Sequence, residues 1–135
     1  MAIISWDDSF SVNVDGIDKQ HYKLFGMIND LNDAMNQGKD KDILGKTISD
    51  LIDYTGTHFG TEEKYFDEFG YPETESHKKE HSDFVKKVCE FKEKFDAGTD
   101  ELSTDIMNFL ADWLQGHIKG VDKKYGSFFN ENGLM

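Results

Sequence analysis

The stretch from Lys41 to Phe69, KDILGKTISDLIDYTGTHFGTEEKYFDEF, decides the fold. Ile43, Leu44, Ile48, Leu51, Ile52, Thr55, Phe59, Phe66 and Phe69 fall three and four apart, which is the period of one helix face. Proline is absent from the stretch, and Gly70 and Pro72 follow it as stop signals. His58 and Glu62 lie four residues apart, roughly 40° around a helix axis, so one face carries both.

The same period extends in both directions. Upstream it predicts a helix over about residues 17–36, with Asp15 as N-cap, a stripe of Ile17, Leu24, Phe25, Ile28, Leu31 and Met35, and Gly38 beyond its end. Downstream a third helix is expected over about 73–97. It starts near Pro72, where a proline is tolerated because first-turn N–H groups lack helical partners, and it buries Phe84, Val85, Val88, Phe91 and Phe95 before Gly98. A fourth, over about 100–121, starts behind Thr99-Asp100-Glu101 and carries Ile106, Phe109, Leu110, Trp113, Leu114 and Ile118. Residues 1–15 are expected to form an extended arm. Short connections between long helices favour antiparallel neighbours, so the expected fold is all-α, an up-down-up-down antiparallel four-helix bundle with an N-terminal arm. One domain is expected to span residues 1–135.

Composition narrows the partners. Of the 135 residues 37% are hydrophobic, enough for a core at this size, and the formal charge of −12 disfavours nucleic acid and anionic membrane surfaces. Cys89 is the only cysteine, so no intramolecular disulfide forms, which suits a reducing compartment. The first fifteen residues lack the basic start and apolar run of an export signal, and no stretch approaches the ~20 apolar residues of a membrane span. A cytoplasmic protein, monomeric or weakly oligomeric, is the expectation.

Histidine is where the chemistry concentrates. There are five: His58 stands four before Glu62, His77 and His81 repeat that spacing, His21 lies on the stripe of the first helix, and His117 lies on that of the fourth. Any one of them alone is more readily a core histidine with a hydrogen-bond partner. Five buried imidazoles and a buried Glu62 would each need such a partner, at about 1–3 kcal/mol for every group left without one. A metal supplies one partner common to all. Imidazole accepts iron, zinc, copper and nickel alike, but five imidazoles and a carboxylate exceed the four positions of a structural zinc site and point to two metals sharing bridges. Asp122 is the open question. It lies five residues after His117, roughly 140° around a regular helix, and faces the site only if a π-type bulge or a loosened turn between Gly120 and Tyr125 brings it back. Otherwise it is a solvated aspartate at a helix end.

These residues closely resemble the hemerythrins, and specifically the single-domain bacterial hemerythrins. The family pattern of an isolated histidine followed by H-x3-E, H-x3-H and H-x4-D runs here as His21, His58 to Glu62, His77 to His81 and His117 to Asp122. The likeness extends through Trp6-Asp7 and Ser9-Phe10 in the arm, Asp18 to His21, His58-Phe59, and Trp113-Leu114 to Tyr125. Members of this family are themselves standard examples of the up-down bundle. The resemblance implies two iron ions, one held by His77, His81 and His117, the other by His21 and His58. Glu62 and Asp122 would bridge them together with a solvent-derived oxygen. It further implies reversible dioxygen binding at the position left open on the His21/His58 iron, inside an apolar wall of Phe59, Trp113, Leu114 and Ile118.

Other features stay open at this level. Gln20, Asp18 or backbone carbonyls could accept the far N–H of a ligating imidazole, and Tyr125 could hydrogen-bond Asp122 or simply pack. The competing functions are a di-iron oxidase, a peroxidase-like or nitric oxide scavenging enzyme, and an oxygen or iron sensor. Ferritin-like oxidases surround their metals mainly with carboxylates, whereas this set is rich in imidazole and suits a carrier. A reductase or an oxygen-consuming partner is compatible with the reading and left unidentified by it.

Overall fold

The computed structural model of the chain describes residues 3–98 and 104–134. A 3-10 turn (Asp8–Phe10) precedes α1 (Asp15–Asn36), α2 (Lys41–Phe69), α3 (Thr74–Asp96) and α4 (Thr104–His117). A π turn (Ile118–Asp122) then leads directly into α5 (Lys123–Glu131). The antiparallel four-helix bundle is the architecture that the apolar spacing predicts. Helix α2 packs on both α1 and α3, α1 also packs on α4, and the Phe84 and Trp113 rings, stacked 4.0 Å apart, join α3 to α4.

Helix ends follow the capping chemistry, with local corrections. The Asp40 side chain accepts from the Ile43 N–H at 2.9 Å, which caps α2, and Gly70 ends that helix at φ 69°. Few side chains adopt this left-handed geometry without strain. Asp15 is no cap: Val14 holds the cap position in extended geometry, and Asp15 sits in the first turn with an exposed ion pair to Lys19. Pro72 also stays outside its helix. Tyr71 to Glu73 form a turn in which the Thr74 N–H and hydroxyl both donate to the Tyr71 carbonyl, so α3 starts two residues later. The expected start of the fourth helix at Thr99-Asp100-Glu101 lies outside the described residues.

The largest correction is at the other end of α4. The chain does not leave the helix near Val121; it widens by one residue through the π turn and continues to Glu131. Tyr125 and Phe129, both fully buried, carry the apolar stripe onward, but the intervening Lys-Gly-Val-Asp-Lys-Lys breaks the spacing by which a helix is recognised.

The arm is built in rather than laid across. Ile4, Phe10, Val12 and Val14 are buried. Asn29 of α1 accepts the N–H groups of Ile3 and Ile4 at 2.9 and 3.1 Å and donates to the Ile4 carbonyl, while Asp18 accepts the Val12 N–H at 2.8 Å and the Ser11 hydroxyl. On the opposite side the arm touches α5 so closely that a Cβ on Gly126 would stand 2.3 Å from the Val12 carbonyl oxygen. Only glycine fits there. Among the described residues no helix is long and apolar enough to cross a membrane.

Candidate metal centre

His21 from α1, His58 and Glu62 from α2, His77 and His81 from α3, His117 from α4 and Asp122 from the π turn all converge inside the bundle, and none is more than 4% exposed. The i, i+4 pairs reach the interior because one helix face carries both members. Asp122 reaches it by the π turn, which absorbs the extra residue between His117 and the carboxylate. Its oxygens lie 3.1 Å from His21 Nε2, 2.8 Å from His77 Nε2 and 3.0 Å from His117 Nε2. Glu62 Oε1 lies 3.0 Å from His58 Nε2 and 3.5 Å from His81 Nε2.

Two groups of four can be drawn. His77, His81, His117 and Asp122 offer ligand atoms all within 4.8 Å of one another, and so do His21, His58, Glu62 and Asp122. Asp122 belongs to both, which is the arrangement of a carboxylate bridging two metals.

Hydrogen bonding fixes which imidazole nitrogens are free. Thr61 donates its hydroxyl to the Thr57 carbonyl at 3.1 Å, so that oxygen can only accept from the Gln20 amide nitrogen, 3.4 Å away. The Gln20 amide oxygen therefore faces His58 Nδ1 at 2.6 Å and accepts its N–H, leaving a lone pair on His58 Nε2. Glu63 lies 3.1 Å from His81 Nδ1 and Glu80 lies 3.2 Å from His117 Nδ1; each carboxylate accepts, and each Nε2 is again a lone pair. These two lone pairs face each other at 3.1 Å. With no hydrogen between them they repel, and the repulsion is relieved by a cation between them, either a metal ion or the proton that His117 takes up in its absence.

Other atoms of the cluster say the same. His21 Nε2, His77 Nε2, Glu62 Oε1 and both Asp122 oxygens are buried and, despite their short separations, make no correctly directed hydrogen bond. Such atoms each cost about 1–3 kcal/mol when left so, and a metal ion satisfies them together. The donor set, nitrogen and carboxylate oxygen in two overlapping groups, fits a pair of transition-metal ions.

Charge is arranged to receive cations. Burial pushes the Asp122 carboxyl up, but His117, His21 and His77 outweigh it and hold the group well below the usual carboxylate range. Glu62 is likewise lowered: burial and Asp122 raise it, and His58 and His21 more than compensate. Burial, helped by His77 and His117, pushes His81 down to about 3, so this imidazole is neutral and ready to ligate. His117 goes the other way: burial opposes, but Asp122, Glu62 and Glu80 raise it, and without metal a proton takes up part of the missing positive charge.

A model of the hemerythrin HHE cation binding domain matches residues 12–129. The chain belongs to the hemerythrin family. It is 39% identical over 127 residues to the bacteriohemerythrin of Methylococcus capsulatus, covering 93% of this chain and 96% of that protein. Against myohemerythrin-1 of Phascolopsis gouldii it is 36% identical over 121 residues, 89% of each chain. A crystal structure of wild-type hemerythrin superposes with a TM-score of 0.89 at 38% identity, covering 93% of this chain and 97% of that one.

Around the centre of this hemerythrin domain, aromatic rings pack directly on two of the clustered imidazoles. Phe59 stacks on His81 at 3.7 Å and Trp113 on His117 at 4.4 Å. One helical turn from His21, His58 and His117 lies an apolar cavity of about 20 Å³, with Leu24, Thr55, Phe59, Trp113 and Leu114 in its wall. Ile118 is fully buried in the π turn but is not part of that wall. Two groups were not singled out by the sequence, Glu63 and Glu80. Tyr125 is fully buried and donates its hydroxyl to Glu62 rather than to Asp122. Asp18, a candidate partner for an imidazole, is instead spent on the arm.

Proposed function

We propose that this hemerythrin domain binds dioxygen reversibly at a pair of non-haem iron ions and serves as an oxygen carrier, store or delivery protein rather than an enzyme. The observation that carries the reading is the sharing of Asp122 between two groups of imidazoles, within one turn of a small apolar cavity. Iron supplies the electrons that dioxygen accepts on binding and returns on release.

The protein's own residues provide the rest. His77, His81 and His117 would hold one ion and His21 and His58 the other, with Glu62 and Asp122 reaching between the two groups. Two imidazoles against three would leave room for dioxygen on the His21/His58 side. Phe59, Trp113 and Leu114 keep water from that side. Thr55 also faces the cavity, but its hydroxyl is committed to the Leu51 carbonyl at 2.7 Å and offers no proton. The wall therefore supplies no acid that would promote loss of oxygen in reduced form. The single Cys89, which forms no disulfide, and the formal charge of −12 suit a free cytoplasmic protein, monomeric or weakly oligomeric.

The test is an anaerobic optical titration of the reduced, iron-loaded protein with oxygen, followed by argon purging. Charge-transfer bands that appear at one oxygen per two irons and vanish on purging support the carrier. Bands that decay irreversibly to the diferric form within a turnover would make it a di-iron oxidase or scavenger on the same bundle.

A further inference from the structure

The strength of an imidazole ligand depends on what its far nitrogen donates to, because a carboxylate there pushes electron density through the ring towards the metal. The two groups around Asp122 differ in this respect. His81 and His117 are backed by carboxylates, Glu63 at 3.1 Å and Glu80 at 3.2 Å. On the other side His58 is backed by the neutral amide of Gln20 at 2.6 Å, and His21 Nδ1 is buried without a hydrogen-bond partner. Among the described residues, carboxylates from outside the ligand set thus hydrogen-bond imidazoles of one position and not of the other.

We propose that Glu63 and Glu80 are positioning residues that make the His77/His81/His117 position the tighter and the more electron-rich of the two, so that iron leaves the His21/His58 position first. The inference rests on the two-iron reading of the centre. Both carboxylates reach in from the surface, with side chains 31% and 45% exposed, so solvent trims their effect. The expected contribution is therefore near the lower end of what such partners give, roughly 10-fold in metal affinity for each. Three imidazoles against two already order the positions. The carboxylates' share is what glutamine substitution isolates, since Gln keeps the shape and the accepting oxygen and removes the charge.

The experiment monitors iron release from the fully loaded ferrous protein as the concentration of a ferrous chelator is raised without oxygen. The unaltered chain is expected to lose half its iron and then the rest in a separate, harder step. Glu63→Gln and Glu80→Gln should each move the harder step to roughly 10-fold weaker chelation, leave the easier step in place and raise the reduction potential of the retained iron. Gln20→Glu should make the easier step harder. General loosening of the bundle would shift both steps together, and that result, or simultaneous loss of both irons from the unaltered chain, overturns the proposal. Glu63 and Glu80 act from different helices, so each variant tests it if the other does not fold. A chain that takes up fewer than two irons at the outset would instead sink the two-iron reading.

Discussion

Tyr125 shows how the interior distributes its hydrogen bonds. Its hydroxyl is pushed well above its ordinary range by burial and by the charges of Asp122 and Glu62, so it stays protonated and donates to Glu62. This occupies one carboxylate oxygen of Glu62 and leaves Oε1 facing His58. Tyr125→Phe removes the donor from a fully buried acceptor and is expected to destabilise the iron-loaded protein by about 1–3 kcal/mol, read by denaturant unfolding. Leu114 is a different case. It is buried in the wall of the apolar cavity and makes no polar contact, so its contribution is dryness. Leu114→Ser brings a hydroxyl and room for water to that wall and should accelerate autoxidation several-fold; an unchanged rate measured by the decay of the oxygenated bands would remove Leu114 from the pocket. Six of the seven residues that meet at the centre can be picked out from spacing, because helical periodicity projects each onto an interior face; Asp122, five residues after His117, cannot, and is carried by the family pattern instead. Glu63 and Glu80 could not be singled out in this way. They stand beside Glu62 and His81 in sequence but point across to neighbouring helices, and with 27 acidic residues in the chain nothing local distinguishes them.

At the scale of the element, the π turn decides whether Asp122 reaches the centre. A regular helix would carry Asp122 roughly 140° from His117, and the extra residue of the π turn removes about 100° of that. The same device keeps Tyr125 and Phe129 in the core, since it inserts a residue without rotating α5 out of line with α4. The i+5 spacing suggested this irregularity, but not that the helix survives it, because glycines and lysines around Asp122 mask the continuing stripe. Gly120 is exposed and has open space around it, so changes in length there read the register alone. Inserting one alanine after Gly120 should turn Asp122 away and leave fewer than two irons per chain by metal analysis. Deleting Gly120 makes the spacing i+4, returns Asp122 to the His117 face of a plain α-helix and should retain more iron than the insertion. Equal iron content in the two variants would mean that the turn does not set the bridge.

For the whole molecule, the metals and the fold are coupled, because the centre places two low-lying carboxylates and five imidazoles at the meeting point of every long helix. Removing iron leaves those groups facing one another, so the chelated protein is expected to unfold at a clearly lower temperature than the loaded one. Its dependence on pH is set by the directions of the shifts. His81 is held at about 3 in the folded chain against 6.5 when unfolded, so between those values the unfolded chain takes up a proton that the folded chain refuses. Stability therefore falls as the pH drops from 6.5 towards 3. Asp122, lowered well below 3.8, adds to the loss at the acid end, since its favourable ionisation is forfeited once the carboxylate protonates. His117 is raised above 6.5, so its stabilisation is complete below that pH and declines as the pH rises through its folded value. The metal-free chain should accordingly be most stable close to pH 6.5 and weaken on either side, most steeply towards acid. In the loaded protein the ligating imidazoles cannot protonate until iron departs, so unfolding and iron release should coincide on acidification. Thermal melts across pH 4 to 8, with and without chelator, would show this, and a metal-free melting temperature that did not fall below pH 6.5 would mean that His81 is not a buried neutral imidazole.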